Sequence, residues 1–102
     1  MRNQPPIIWI ATRHPGALEF LHGRGLSGRH CKHLSAADVN SGDTVIGNLP
    51  MPLVAQLCAK NVHYWHLCVE VESHERGQEL TSEQLETRGV TVRQFQVEEL
   101  RQ

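Results

Sequence analysis

The feature that most constrains this chain is a pattern that occurs twice. Ile7-Ile8-Trp9-Ile10-Ala11 is a continuous apolar run rich in β-branched residues. Thr12-Arg13-His14-Pro15-Gly16 breaks it, and Ala17, Leu18, Phe20 and Leu21 follow at helical spacing. Asp43-Thr44-Val45-Ile46-Gly47 then repeats the run, and Asn48-Leu49-Pro50-Met51-Pro52 repeats the break. Leu53, Val54, Leu57 and Cys58 repeat the stripe. Runs without polar alternation are strands covered on both faces, which is the habit of a parallel sheet between helix layers. Pro15 suits the first helical position, and Gly23-Arg24-Gly25 supplies a helix stop. Two such units imply an α/β domain with a mostly parallel sheet of about five strands, a single domain over residues 1–102.

The rest of the chain fills in that plan. Residues 29–34 read as a polar edge strand, and residues 35–42 as a short connector with one helical turn capped by Ser35. Residues 62–71 form the longest strand candidate, with Trp65, Leu67, Val69 and Val71 on one face. Residues 73–80 are polar loop. Thr81-Ser82-Glu83-Gln84 resembles a capping box for a short helix closed by Gly89, and residues 90–97 make a last, less buried strand. Right-handed crossovers give the order 2-1-3-4, with the first and third strands side by side. The connector at residues 35–42 is short for the parallel crossover that this order demands.

Composition narrows the function classes. With 39% hydrophobic and 21% charged residues over 102 positions, the chain is globular rather than disordered. No apolar run approaches a membrane span and no signal-peptide pattern opens it, so a cytoplasmic protein without membrane partners is expected. Cys31, Cys58 and Cys68 include no C-x-x-C pair, and reduced thiols are expected. A net charge of −1 argues against coating long DNA or RNA. That average hides an asymmetry: residues 1–60 carry six Lys/Arg against three Asp/Glu, whereas residues 61–102 carry four against eight. Compact anionic ligands therefore stay open to the basic, His-rich front half.

In the 2-1-3-4 order the two proline-containing loops meet where the strand order reverses, the favoured crevice of open α/β sheets. Two helix N-termini there offer backbone N–H groups and partial positive charge to an anion. Gly16 and Gly47 let backbone come close to a ligand, Arg13 can grip a phosphate bidentately, and His14 beside a helix start is expected to be a neutral base. The plainer alternative is that Thr12 and His14 cap a helix while Arg13 points to solvent. No G-x-G-x-x-G and no Walker loop supports a dinucleotide or nucleoside triphosphate site. Cys31 and His33 share one strand face, and His66 and Cys68 share another. They would form a zinc site only if those strands were neighbours, which this order denies, so no metal or cofactor is expected. Cys58 falls on an apolar helix face and reads as buried and inert rather than nucleophilic. Glu70, Glu72, Glu75 and Glu79 read as a solvated acidic stretch, and Arg76 beyond a central strand could reach the crevice. The spacing of the chain assigns no role to His22, His30, His63 or His74.

Trp9-Ile10-Ala11-Thr12-Arg13-His14-Pro15-Gly16-Ala17, Gly42-Asp43-Thr44-Val45-Ile46-Gly47-Asn48-Leu49-Pro50, Tyr64-Trp65-His66-Leu67 and Arg76-Gly77-Gln78-Glu79-Leu80-Thr81 together resemble a small CRISPR-associated accessory family that accompanies type III systems. The likeness runs from about Ile7 to Val97. Where the family usually has threonine after the second glycine this chain has Asn48, which keeps a hydrogen-bonding group without the hydroxyl. The resemblance implies a Rossmann-like three-layer sandwich similar to the CARF domains that sense cyclic oligoadenylate, a homodimer, and a ring-nuclease activity that cuts the cyclic tetramer and so switches off antiviral signalling. Such cleavage needs no metal: a ribose 2′-OH attacks the adjacent phosphate. His14 is then the expected base or acid, Arg13 the phosphate clamp and Thr12 the positioning hydroxyl. Gly16, Gly47, Asn48, Leu49, Met51 and Arg76 are expected to line the ligand. A non-catalytic module that sequesters the ring, and an interaction protein docking on a CRISPR effector, are the other readings.

Overall fold

The computed structural model describes residues 5–12, 15–68 and 90–100. Five strands form one sheet: β1 (Ile8–Ala11), β2 (Arg29–His30), β3 (Thr44–Gly47), β4 (His63–Cys68) and β5 (Thr91–Phe95). Two helices, α1 (Pro15–Gly23) and α2 (Met51–Ala59), are described with them. The order is β2-β1-β3-β4-β5, with the first four strands parallel and β5 antiparallel to β4. This is the doubly wound plan expected from the paired strand–helix units, and it makes an α/β sheet compatible with a Rossmann-like sandwich. The expected helix at 81–89, the loop at 73–80 and the end of the 62–71 strand lie outside the described residues.

The period of two along the strands splits the core into two layers. Ile10, Ile46 and Leu67 face one way and bury Ala17, Phe20 and Leu21 of α1, together with Val90. Trp9, Ala11, Val45 and Tyr64 face the other way and bury Val54 and Leu57 of α2, with Leu34, Val39 and Val62. Two expectations are adjusted. The first run is not covered on both faces along its length, because Ile8 remains 44% exposed at the entry to β1. Cys58 is half-buried rather than deep in the core: its Sγ lies 3.4 Å from the Val97 backbone nitrogen, at the seam between α2 and the segment after β5.

The short crossover resolves itself through the edge strand. Only Arg29 and His30 pair with β1, instead of the expected 29–34, so the chain from Cys31 onward is released to travel. It crosses the α2 face of the sheet, burying Leu34 and Val39, with a single 3₁₀ turn at Ala36–Asp38. Ser35 stands at the start of that turn as expected. Its N–H and hydroxyl both donate to Asp38 Oδ2, and Lys60 Nζ donates to the carbonyls of Ala36 and Val39 at the turn's other end.

Asp43 then enters the sheet as a fully buried carboxylate. Its Oδ1 accepts the Ile7 N–H at 2.9 Å, while Oδ2 accepts the Trp9 indole N–H at 3.1 Å and the Asn40 N–H at 3.0 Å. This one side chain ties the entries of β1 and β3 together. Removing it would leave the buried Trp9 indole N–H without its partner, at a cost of about 1–3 kcal/mol.

Candidate functional site

The strands that matter are in register at their C-terminal ends. Ala11 of β1 is opposite Gly47 of β3, and Gly47 is opposite His66 of β4. Ala11, Gly47 and His66 therefore share the α2 face in one row, immediately before the two strand-to-helix loops. The order reverses between β1 and β3, so both loops leave the sheet side by side. Thr12 is buried at the exit of β1, Gly16 is buried in the first turn of α1, and Asn48 is exposed at the exit of β3. The structure thus brings Thr12, Gly47, Asn48 and Leu49 to one edge. Arg13, His14 and Arg76 lie outside the described residues.

Each described position has a local reason for its geometry. A side chain at Gly47 would run into the backbone carbonyl of Ala11, so the close approach that the glycine permits is to β1. Asn48 Nδ2 donates to the Leu67 carbonyl at 2.6 Å, pinning the loop after β3 to the end of β4. Proline occupies the N-cap of α2, with no side-chain cap. The expected row of backbone donors from Gly47 to Met51 is thinner than the sequence implies. The Leu49 N–H is taken by the Tyr64 hydroxyl at 3.0 Å, and Pro50 has none. The Asn48 and Met51 N–H groups have no backbone partner among the described residues, and the Met51 side chain is 70% exposed.

Three residues that sequence reasoning left without a role in the crevice stand at this edge. His30, opposite Ile10 on β2, holds the Thr12 carbonyl with Nε2 at 2.9 Å. Because a carbonyl only accepts, that nitrogen carries the proton. Tyr64 points its hydroxyl up the sheet beneath the loop after β3. There Oη lies 3.0 Å from both the Gly47 carbonyl and the Leu49 nitrogen, and 2.7 Å from His66 Nδ1. His66 is half-buried, its ring meeting Phe95 edge-on at 6.1 Å between centroids. Burial raises the Tyr64 pKa above its ordinary 10.0, with the Leu49 N–H opposing, and lowers that of His66 below 6.5. The tyrosine is a neutral hydroxyl and the histidine a neutral imidazole near pH 7. The only sequence trace of this dyad is the i, i+2 spacing of Tyr64 and His66 on one strand face; its link to Gly47 and Leu49 depends on register.

The four Cys/His residues considered for zinc do not converge. Cys31 and His33 follow β2 and His66 and Cys68 end β4, with β1 and β3 between. Among the described residues no group of three or more His, Cys, Asp or Glu could hold a metal ion. Two surface cavities, about 370 and 450 Å³, lie away from the crevice, against β5 and the face of α2 that carries Cys58. No described helix is long and apolar enough to cross a membrane.

None of the curated proteins and none of the solved structures matches this chain. Residues 9–98 match the family model described as "Putative CRISPR-associated protein (Cas_VVA1548)", a span that takes in both strand–loop–helix units and the Tyr64–His66 strand, and the chain belongs to that CRISPR-associated family.

Proposed function

We propose that this protein is a ring nuclease: it binds a cyclic oligoadenylate, the tetramer in the first instance, and opens it without a metal ion, ending a type III antiviral signal. The observation that carries the reading is the side-by-side exit of the two strand-to-helix loops at the β1/β3 reversal, in a chain of a CRISPR-associated family. A ring of four phosphates asks for few contacts, and the reading draws them from the two loops that leave this edge. The asymmetric charge of the chain supports an anionic ligand on the front half.

In the proposed reaction the ribose 2′ oxygen forms a bond to the adjacent phosphorus while the bond to the 5′ oxygen breaks. A base takes the 2′ proton and an acid supplies one to the departing 5′ oxygen, leaving a 2′,3′-cyclic phosphate and a 5′-hydroxyl. Arg13 clamps the phosphate, Thr12 orients the attacked nucleotide, and His14 takes part in proton transfer. Asn48 and the Met51 N–H hold a second phosphate. A two-fold dimer places two such sets under one ring.

Incubation of radiolabelled cyclic tetra-adenylate with equimolar protein in EDTA tests the reading. Linear products ending in a 2′,3′-cyclic phosphate are expected. His14→Ala is expected to lower turnover about 10²-fold or more with binding little changed, whereas Arg13→Ala weakens both. An intact ring that is nonetheless tightly bound selects a sequestering module instead. Neither binding nor cleavage leaves a protein that docks on other components.

A further inference from the structure

Tyr64 Oη has one proton and, among the described residues, three hydrogen-bonding neighbours. The Gly47 carbonyl can only accept, the Leu49 N–H can only donate, and His66 Nδ1 can do either. A single arrangement satisfies all of them at once. Tyr64 donates to the Gly47 carbonyl, and its two lone pairs accept from Leu49 N–H and from His66 Nδ1–H. If Tyr64 instead donated to Nδ1, the buried Gly47 carbonyl would lose this partner and Nε2 would carry the histidine proton. Backbone geometry at the loop after β3 thereby chooses the tautomer of a side chain on β4.

From this we infer that His66 is held as the Nδ1–H tautomer, with an unprotonated Nε2 at the crevice, and that it is the base that removes the 2′-hydroxyl proton. The inference rests on the ring-nuclease reading for its substrate, but the tautomer stands on this geometry alone. Nε2 has no hydrogen-bond partner among the described residues. His66 itself is only half-buried and stands opposite Gly47, the last residue of β3 before the loop.

The arrangement also suits the return of charge. When Nε2 takes a proton, the imidazolium keeps its Nδ1–H bond to Tyr64 Oη, and no hydrogen bond in the network has to turn over. Such preorganisation is what makes a fixed donor effective in a transition state. The attacking oxygen gives its proton to Nε2 as its bond to phosphorus forms. The leaving 5′ oxygen takes a proton from the acid, His14 in this reading; His66 later returns its own proton to solvent, and His14 regains one from it. Tyr64 is a positioning residue here: it touches His66 and not the ring.

The test has a spectroscopic and a kinetic arm. Long-range ¹H–¹⁵N correlation of the free wild-type protein at pH 8 is expected to show His66 with a pyrrole-type Nδ1 and a pyridine-type Nε2. The opposite tautomer overturns the inference whatever the activity. Tyr64→Phe, which keeps the ring in the core, is expected to shift His66 toward the Nε2–H form and to slow single-turnover cleavage of cyclic tetra-adenylate roughly 10- to 100-fold. His66→Gln is expected to slow it about 10²- to 10⁴-fold with ring affinity within a few fold of wild type. Wild-type cleavage rates in His66→Gln overturn the base role and leave the ring-nuclease reading intact. An Nδ1–H tautomer in a wild type that cuts no ring overturns that reading, and the base role with it.

Discussion

The Tyr64–His66 pair shows how much one strand position can inherit from a loop it does not belong to. Burial disfavours charge on both groups, and this has a pH signature that involves no substrate. For His66 the native pKa lies below the unfolded value of 6.5, so the unfolded chain takes up its proton first as the pH falls. Its contribution to stability is present above pH 6.5 and is lost as the pH drops from there through the lower native pKa. For Tyr64 the native pKa lies above 10.0, so its contribution is present below pH 10 and is lost as the pH rises through the native value. Urea midpoints across pH 4–9 are expected to show a decline on the acid side that is shallower in His66→Gln than in the wild type. Equal acid slopes in the two proteins would count against a desolvated His66. Asp43 marks the opposite end of the same sheet, where a carboxylate answers two backbone N–H groups and an indole N–H.

At the scale of elements, the two helices end by one device. In α1 the Leu26 N–H reaches the Leu21 carbonyl and the Gly25 N–H the His22 carbonyl, with Gly25 at φ 78°. In α2 the Val62 N–H reaches the Leu57 carbonyl and the Asn61 N–H the Cys58 carbonyl, with Asn61 at φ 62°. Both are Schellman caps, and each closes with an apolar residue, Leu26 or Val62, returned to the core. The glycine version is legible as Gly23-Arg24-Gly25; the asparagine version is not, because Asn61 also suits an ordinary loop. Asn61→Gly is expected to raise stability by a few tenths to about 1 kcal/mol, and Asn61→Val to lower it by about 1–2 kcal/mol. Chemical denaturation of the two variants checks the sign. Stabilisation by valine would contradict the left-handed cap.

At the scale of the whole molecule, the proposed ring is too symmetric for one copy of this sheet edge. One subunit presents one pair of loops, so the reading requires a two-fold assembly with its axis passing between two such edges. Sedimentation equilibrium at micromolar concentration is expected to give twice the 11.5 kDa chain mass, and addition of cyclic tetra-adenylate to tighten the association. A monomer that stays monomeric when saturated with ring would require a site completed within one chain.

Much of this architecture was written in local chemistry. Two apolar runs with prolines just beyond them specify strands feeding helices, and doubly wound order follows from chain handedness, so β2-β1-β3-β4 and the meeting of the loops after Ala11 and Gly47 were legible. So were Pro15 at the start of α1 and Ser35 before its turn. What the residues alone could not disclose depends on register and on proton counting across strands. Gly47 reads as a ligand-facing glycine until β1 is seen pressed against it. Leu49 offers an N–H until Tyr64 is found beneath it, and His66 is one histidine of seven until that same hydroxyl assigns its proton. Local sequence determines which elements form, because propensity and hydrophobic period act over a few residues. The tertiary structure alone decides which polar atoms are already spoken for, because hydrogen-bond partners are allotted among residues far apart in the chain.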